Sequence, residues 1–260
     1  KRKVGFFMCG IAGEINFKDG VKFKDYHGQM LNVLNNRGPD DQNIKKDDFA
    51  VLLHTRLAVI DPKSGRQPMS ARKDGMDYTI CYNGQLYGTD EIRNALIKQG
   101  VTFETKTDTE VVLKAFITFG ADCVKNFNGI YAFAIYCPQK KELFIARDKM
   151  GVKPFFYAQR GNSFIFASEI KSLLCHPKIK PEIDKTGISE LLFIGPGRTP
   201  GCGVFKDVYE LKPGHRGFFN VGGLSLERYF SLIDRENTDS KEEIIKKVRF
   251  LVTDSIEKQL

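Results

Sequence analysis

The chain contains no tryptophan, no apolar run near the roughly 20 residues needed to cross a bilayer, and no C-x-x-C pair. The missing tryptophan matters little, because 21 Phe and 9 Tyr supply bulk for a sizeable core. The lack of a long apolar run excludes a helical membrane span. The four histidines (His27, His54, His176, His215) fall at no zinc-ligand spacing either, so no metal centre is expected. A basic stripe with interleaved aromatics is missing too. The formal charge is +8, but three of the positives are Lys1, Arg2 and Lys3, and the others are dispersed among acids. That pattern belongs to a solvated surface rather than a nucleic-acid interface. Behind the basic start, residues 4–7 are too short an apolar stretch for a secretory signal. A cytoplasmic protein with no nucleic-acid or membrane partner is expected.

Six cysteines are present: Cys9, Cys81, Cys123, Cys137, Cys175 and Cys202. Most are expected in the core as small apolar residues. Cys9 differs because it follows Met8, the first plausible start, which makes residues 1–8 an extension or tag. Once Met8 is removed, the thiol and the α-amine belong to one residue. An α-amine titrates near pH ~8, so it can act as general base without a histidine.

Hydrophobic periodicity, capping and turn residues divide the chain. A strand begins at Cys9 and runs to 15, and weaker helical spacing covers 23–34. Two short strand pieces are expected within 49–60, around His54-Thr55-Arg56. Tyr78 to Tyr82 reads as a strand entering Asn83-Gly84. Thr89 is placed as the cap of a helix closed by Gly100. Thr107-x-x-Glu110 is placed as the capping box of a helix over 109–119, with Gly120 beyond it. Strands over 130–136, 143–146, 155–158 and 164–167 are joined by short turns that imply antiparallel neighbours. Helices are expected at 168–174 and 186–193, and Gly-Pro-rich loops at 195–203 and 213–214. Ser240-x-x-Glu243 starts a last helix whose apolar stripe, Ile244, Ile245, Val248, Leu251, Val252 and Ile256, calls for a packing partner. Segregated helices and antiparallel strands give an α+β class.

Several of these residues have a purely structural reading. Asn83-Gly84 after an alternating strand suits a type I′ hairpin turn. Asp108 before Thr109 suits a helix N-cap. Arg56 could be a solvated strand residue, and Arg37-Gly38-Pro39-Asp40 a turn.

In order along the chain stand Met8-Cys9-Gly10-Ile11-Ala12-Gly13, Arg37-Gly38-Pro39-Asp40-Asp41, His54-Thr55-Arg56-Leu57, Tyr82-Asn83-Gly84 and Thr107-Asp108-Thr109-Glu110. This set resembles the glutaminase domain of class II glutamine amidotransferases. The runs from Ala146 to Pro154 and from Phe166 to Lys171 point, within that class, to glutamine-dependent asparagine synthetase. The resemblance implies a four-layer αββα sandwich of two antiparallel sheets, the N-terminal-nucleophile hydrolase type. It implies Cys9 as nucleophile, Asn83 and Gly84 as the oxyanion hole, Arg56 gripping the α-carboxylate of L-glutamine and Asp108 its α-ammonium. Where the family often carries Glu after Asn-Gly, this chain has Gln85, an acceptor without charge. Weaker glutamine binding with an intact chemical step is the expectation.

The resemblance also implies a division of the chain: residues 1–8 an extension, 9–230 the glutaminase domain, 231–260 a linker and the first helix of a synthetase domain. No Ser-Gly-Gly-Leu-Asp-Ser-type pyrophosphate loop occurs, so the chain reads as an excerpt. ATP and magnesium would serve that synthetase domain, with no cofactor in the glutaminase part. The implied partners are L-glutamine and the synthetase domain of the same chain, with a homodimer possible. Two alternatives stay open. One is an amidotransferase of the same class with another acceptor. The other is a non-catalytic scaffold module whose Cys9 amine stays blocked.

Overall fold

The computed structural model describes residues 8–57, 64–195 and 197–258. Residues 1–7 of the anticipated 1–8 extension, the last part of the 49–60 stretch, Pro196 of the expected loop and residues 259–260 lie outside these.

Two six-stranded sheets form the centre. The first contains β1 (Gly10–Ile15), β2 (Asp41–Lys46), β3 (Ala50–Arg56), β8 (Phe156–Arg160), β9 (Ser163–Ala167) and β10 (Tyr209–Glu210), in the order β10-β8-β9-β1-β3-β2. The second contains β4 (Met69–Lys73), β5 (Met76–Leu86), β6 (Gly129–Cys137), β7 (Glu142–Arg147), β11 (His215–Asn220) and β12 (Gly223–Arg228), in the order β12-β11-β7-β6-β5-β4. Adjacent strands pair antiparallel; Ala12, for example, lies opposite Leu53 on one side and Ala167 on the other.

Alternation along each strand sends side chains into two different cores. Ile11, Ile15, Leu52, Cys81, Ala134, Ile145 and Phe166 meet between the sheets. The opposite face of the first sheet packs Ala12, Val51 and Ile165 under α1 (Asp25–Asn32) and α4 (Ile170–Leu173). The opposite face of the second packs Ile80, Tyr82 and Phe133 under α2 (Thr89–Lys98) and α3 (Asp108–Phe119). Both faces of the central strands are therefore buried, as are all seven residues of β3 and all five of β9. Each such Phe, Ile or Leu contributes about 1.5–3 kcal/mol. The expected αββα sandwich is the fold.

Several expected local features differ. The stretch around His54 is one strand rather than two, because β1 and β2 hold it on both sides. The turn after β7 does not lead to a neighbour: residues 148–155 cross to the other sheet, so β7 pairs β6 and β11 while β8 pairs β9 and β10. Gly88, not Thr89, occupies the N-cap of α2, with φ 62°. Thr107 caps α3 through the Glu110 N–H, but the Glu110 carboxylate turns away to the Glu104 and Thr105 amides, so the reciprocal half of the box is absent. Helix 186–193 splits into α5 (Lys185–Ser189) and a π turn, Glu190–Ile194. The Ser240–Glu243 box does form at the start of α6 (Lys241–Glu257). The apolar stripe of α6 is open: Val248 is 53% and Leu251 61% exposed. Among the other cysteines, Cys81, Cys123 and Cys137 are buried, whereas Cys175 and Cys202 are half-buried.

Candidate active site

Cys9 lies one residue before β1, at an open end of the space between the sheets. Its Sγ accepts the Leu57 N–H at 3.4 Å. Arg37 fixes the backbone there: its Nε donates to the Cys9 carbonyl at 3.0 Å, its Nη1 donates to Glu169 at 3.0 Å, and its own carbonyl accepts the Met8 N–H. Ser168 closes the next rung, accepting the Ile11 N–H on its Oγ and donating its N–H to the Ile11 carbonyl. The Arg37 turn and the Phe166–Lys171 run thus brace the same short segment.

A cavity of about 170 Å³ adjoins the thiol, and Cys9, Arg56, Asn83, Gly84, Gln85 and Asp108 all line it. All six residues singled out in the sequence therefore meet in one place. Asn83 and Gly84 are not a hairpin tip. They sit inside β5 opposite Ala132 and Tyr131, and neither has a positive φ. The Asn83 side chain is 1% exposed, and its Nδ2 has no hydrogen-bond partner among the described residues. A buried amide donor without a protein partner is costly, and this one belongs to a residue that lines the cavity.

Asp108 is not the cap of α3 but its first residue, Thr107 being the cap. Its carboxylate accepts the Tyr82 hydroxyl at 2.8 Å, the Leu86 N–H at 3.0 Å and the Thr109 N–H at 2.9 Å. Burial nevertheless pushes its pKa above the usual aspartate range, outweighing these donors. Arg56 is no solvated strand residue: it is 6% exposed at the end of β3. Gly65 makes room for it, since a Cβ there would lie 2.5 Å from a guanidinium nitrogen.

Burial also pushes the Cys9 thiol up; the Leu57 N–H and the Arg56 and Lys153 charges pull it back only in part. None of the four histidines lines the cavity. His54 lies behind it with Nε2 3.3 Å from the Tyr82 carbonyl, and burial pushes its pKa down to about 4. It is neutral at physiological pH and does not line the thiol's cavity.

Eight further residues line it, Gly65, Gln67 and Lys153 among them, none of which was given a site role from the sequence. Lys153 Nζ donates to the Met8 thioether at 2.9 Å, and burial and then the Arg37 charge lower its pKa. The loop carrying it is wrapped around Asp148, which accepts the N–H groups of Met150, Val152 and Lys153. The only sequence sign of Lys153 is its place in the Ala146–Pro154 run. Gln67 had none. No group of three or more His, Cys, Asp or Glu among the described residues could hold a metal ion, and no helix among them is long and apolar enough to cross a membrane.

Residues 8–230 match the family described as a glutamine amidotransferase domain. The chain is 45% identical over 254 residues to glutamine-hydrolyzing asparagine synthetase 3 of Bacillus subtilis (strain 168), covering 97% of this chain and 41% of that protein. It is 30% identical over 255 residues to glutamine-hydrolyzing asparagine synthetase 1 of the same organism, covering 96% and 39%. The chain thus spans about two fifths of the length of these relatives. Among solved structures, glutamine phosphoribosylpyrophosphate amidotransferase from B. subtilis, complexed with ADP and GMP, matches with a TM-score of 0.60. That match covers 88% of this chain and 50% of that one at 20% identity, and it bears on the fold alone.

Proposed function

Because the chain belongs to the glutamine amidotransferase domain family, we propose that its cavity hydrolyses L-glutamine to glutamate and ammonia through a thioester on Cys9. The observation that carries this reading is the unpartnered, buried Nδ2 of Asn83 in the same cavity as the Cys9 thiol. A donor held there suits an oxyanion that exists only during reaction.

In this mechanism the free α-amine of Cys9 takes the thiol proton as sulfur attacks the side-chain amide carbon of glutamine. The carbonyl oxygen becomes an oxyanion held by Asn83 Nδ2 and the Gly84 N–H. The amine returns its proton to the leaving nitrogen, and ammonia departs. A water molecule, deprotonated by the same amine, then cleaves the thioester to glutamate. Arg56 pairs with the substrate α-carboxylate, where a guanidinium can bind in bidentate fashion. Asp108 and Gln85 receive the α-ammonium.

The family's larger members suggest the destination of the ammonia. In the full-length protein it serves ATP-dependent conversion of aspartate to asparagine. Residues 9–230 form the glutaminase domain on this reading, and 231–260 lead into the synthetase portion. ATP and magnesium belong to that portion, and no step above passes through them. The relatives' biosynthetic role fits a cytoplasmic location.

Cys9→Ala tests the reading. Glutamate release should fall at least ~1,000-fold, because Cys9 is the only thiol among the described residues that line the site. In the full-length protein, asparagine formation from added ammonia should survive. Loss of both activities together would refute the division of labour, and a mature chain whose mass retains Met8 would refute the α-amine as base.

A further inference from the structure

Resting on that reading, we infer that Gln67 is a positioning residue: its side chain closes the β5 rung beside Asn83-Gly84 and so sets where their donors point. The pairing of β4 with β5 runs from Lys73 opposite Met76 to Met69 opposite Ile80. It stops there, with Pro68 the next residue back along the chain. The following rung on that edge, the Tyr82 N–H, therefore has no strand partner. Gln67 takes it instead, its Oε1 accepting the Tyr82 N–H at 2.7 Å. The other end of the same amide donates to Thr109 Oγ1 at 3.3 Å. The residue is 5% exposed, so its amide is satisfied by these two bonds rather than by bulk water.

Successive amides of a strand point to opposite edges, so those of Tyr82, Gly84 and Leu86 point the same way. The Leu86 N–H is taken by the Asp108 carboxylate. Two side chains thus occupy the rungs on either side of Gly84, and the Gly84 N–H between them is directed at the cavity that Gly84 lines. The edge is pinned immediately before and after the donor used in catalysis. The Thr109 bond adds a second constraint by fixing β5 against the start of α3, where Asp108 stands. Gln67 therefore governs where the Asn83 and Gly84 donors stand relative to the oxyanion, while Asp108 keeps its own bonds to Tyr82, Leu86 and Thr109.

The test is Gln67→Met, which keeps length and shape but removes both bonds, in the chain with Cys9 freed as its first residue. Expected is a fall in kcat for glutamine hydrolysis of about 10–100-fold, the range for misplacing an oxyanion donor by a fraction of an ångström. KM should stay within about threefold, since Arg56 and Asp108 are left in place. The rate of Cys9 alkylation by iodoacetamide, which needs no oxyanion donor, should stay within about twofold. Thr109→Val cuts only the far end of the tether. It should give the same split at about three- to tenfold, and it serves as the reading should Gln67→Met not fold. Unchanged kcat, or alkylation falling in step with kcat, would overturn the inference while leaving the proposed hydrolysis intact. Absence of hydrolysis by the unsubstituted chain would overturn both.

Discussion

Replacing Gly84 with alanine retains its N–H but forces it to move. A Cβ at this position would lie 2.6 Å from the Ile130 carbonyl oxygen, 2.7 Å from the Tyr131 Cβ and 2.8 Å from the Tyr82 ring. The first two belong to β6, the strand paired with β5, and neither can swing aside as a long side chain could. Going from 2.6 Å to the 3.4 Å of ordinary contact requires the rung to open by about 0.8 Å. Overpacking of this kind costs about 1–3 kcal/mol of stability. A donor displaced by nearly an ångström should cost about 10–100-fold in kcat.

Two measurements on the same samples separate these effects: the urea midpoint, and steady-state glutamate release from the chain with Cys9 as its first residue. Gly28→Ala is the control. It sits within α1, has no atom within 4 Å of its would-be Cβ, and should gain about 0.5–1 kcal/mol with hydrolysis unchanged. If Gly84→Ala loses stability as expected yet hydrolyses glutamine within threefold of the parent rate, the Gly84 N–H is not an oxyanion donor.

Gln85 lines the cavity without charge, so Gln85→Glu should tighten glutamine. A charged hydrogen bond is worth about 1.5–3 kcal/mol, reduced here because the residue is only half-buried; KM should fall about three- to tenfold with kcat unchanged. An unaltered KM would show that Gln85 does not meet the α-ammonium. Glu14, on β1, accepts hydrogen bonds from Tyr26, His27 and His176. Burial opposes its charge, but the bonds from His176 and His27 outweigh it and hold the carboxyl well below the usual range. A depressed folded-state pKa gives stability that is present above the unfolded value, about 4.3, and lost as pH falls through the folded one. Glu14→Gln should therefore cost about 1.5–3 kcal/mol at pH 7, with the gap narrowing below about pH 4. A gap independent of pH in urea titrations would exclude ionisation of Glu14 as its source.

The strands legible in the sequence are those whose residues carry their own reason to be strands. β6, β7 and β9 are runs of Phe, Ile, Tyr and Ala buried on both faces. β2 (Asp41–Lys46) is not legible, because Asp-Gln-Asn-Ile-Lys-Lys has no apolar alternation. It is an edge strand whose extended form comes from six rungs shared with β3. Asn83-Gly84 misleads for the opposite reason: a dipeptide preference for a turn is overridden by eight consecutive pairs with β6. The site residues were legible only as an ordered set behind Cys9, since each alone suits a cap, a turn or a strand. Gln67 was illegible because its role exists only across distance. Its partners lie 15 and 42 residues away, and a buried glutamine has no local pattern to announce it.

The thiol's electrostatics decide what the site needs from its base. Were Cys9 surrounded by enough positive charge to ionise at neutral pH, attack could begin without proton transfer, and a blocked amine would matter little. The opposite holds. Burial raises the pKa of Cys9, with Asp108 adding to the rise, and Leu57, Arg56 and Lys153 offset only part of it. On the proposed reading the proton therefore leaves sulfur during attack, to a base within hydrogen-bond reach. No histidine lines the cavity, Lys153 Nζ is turned to the Met8 thioether, and Asp108 is already engaged by three donors. The α-amine of Cys9 is the group that meets the requirement, since it is bonded to the same residue and titrates near neutrality once free. While Met8 is attached, that nitrogen is an amide and cannot accept the proton. The nucleophile proposed here is thus half of a pair whose other half appears only on release of the preceding residue, although Arg56, Asn83, Gly84 and Asp108 already line the cavity beside it.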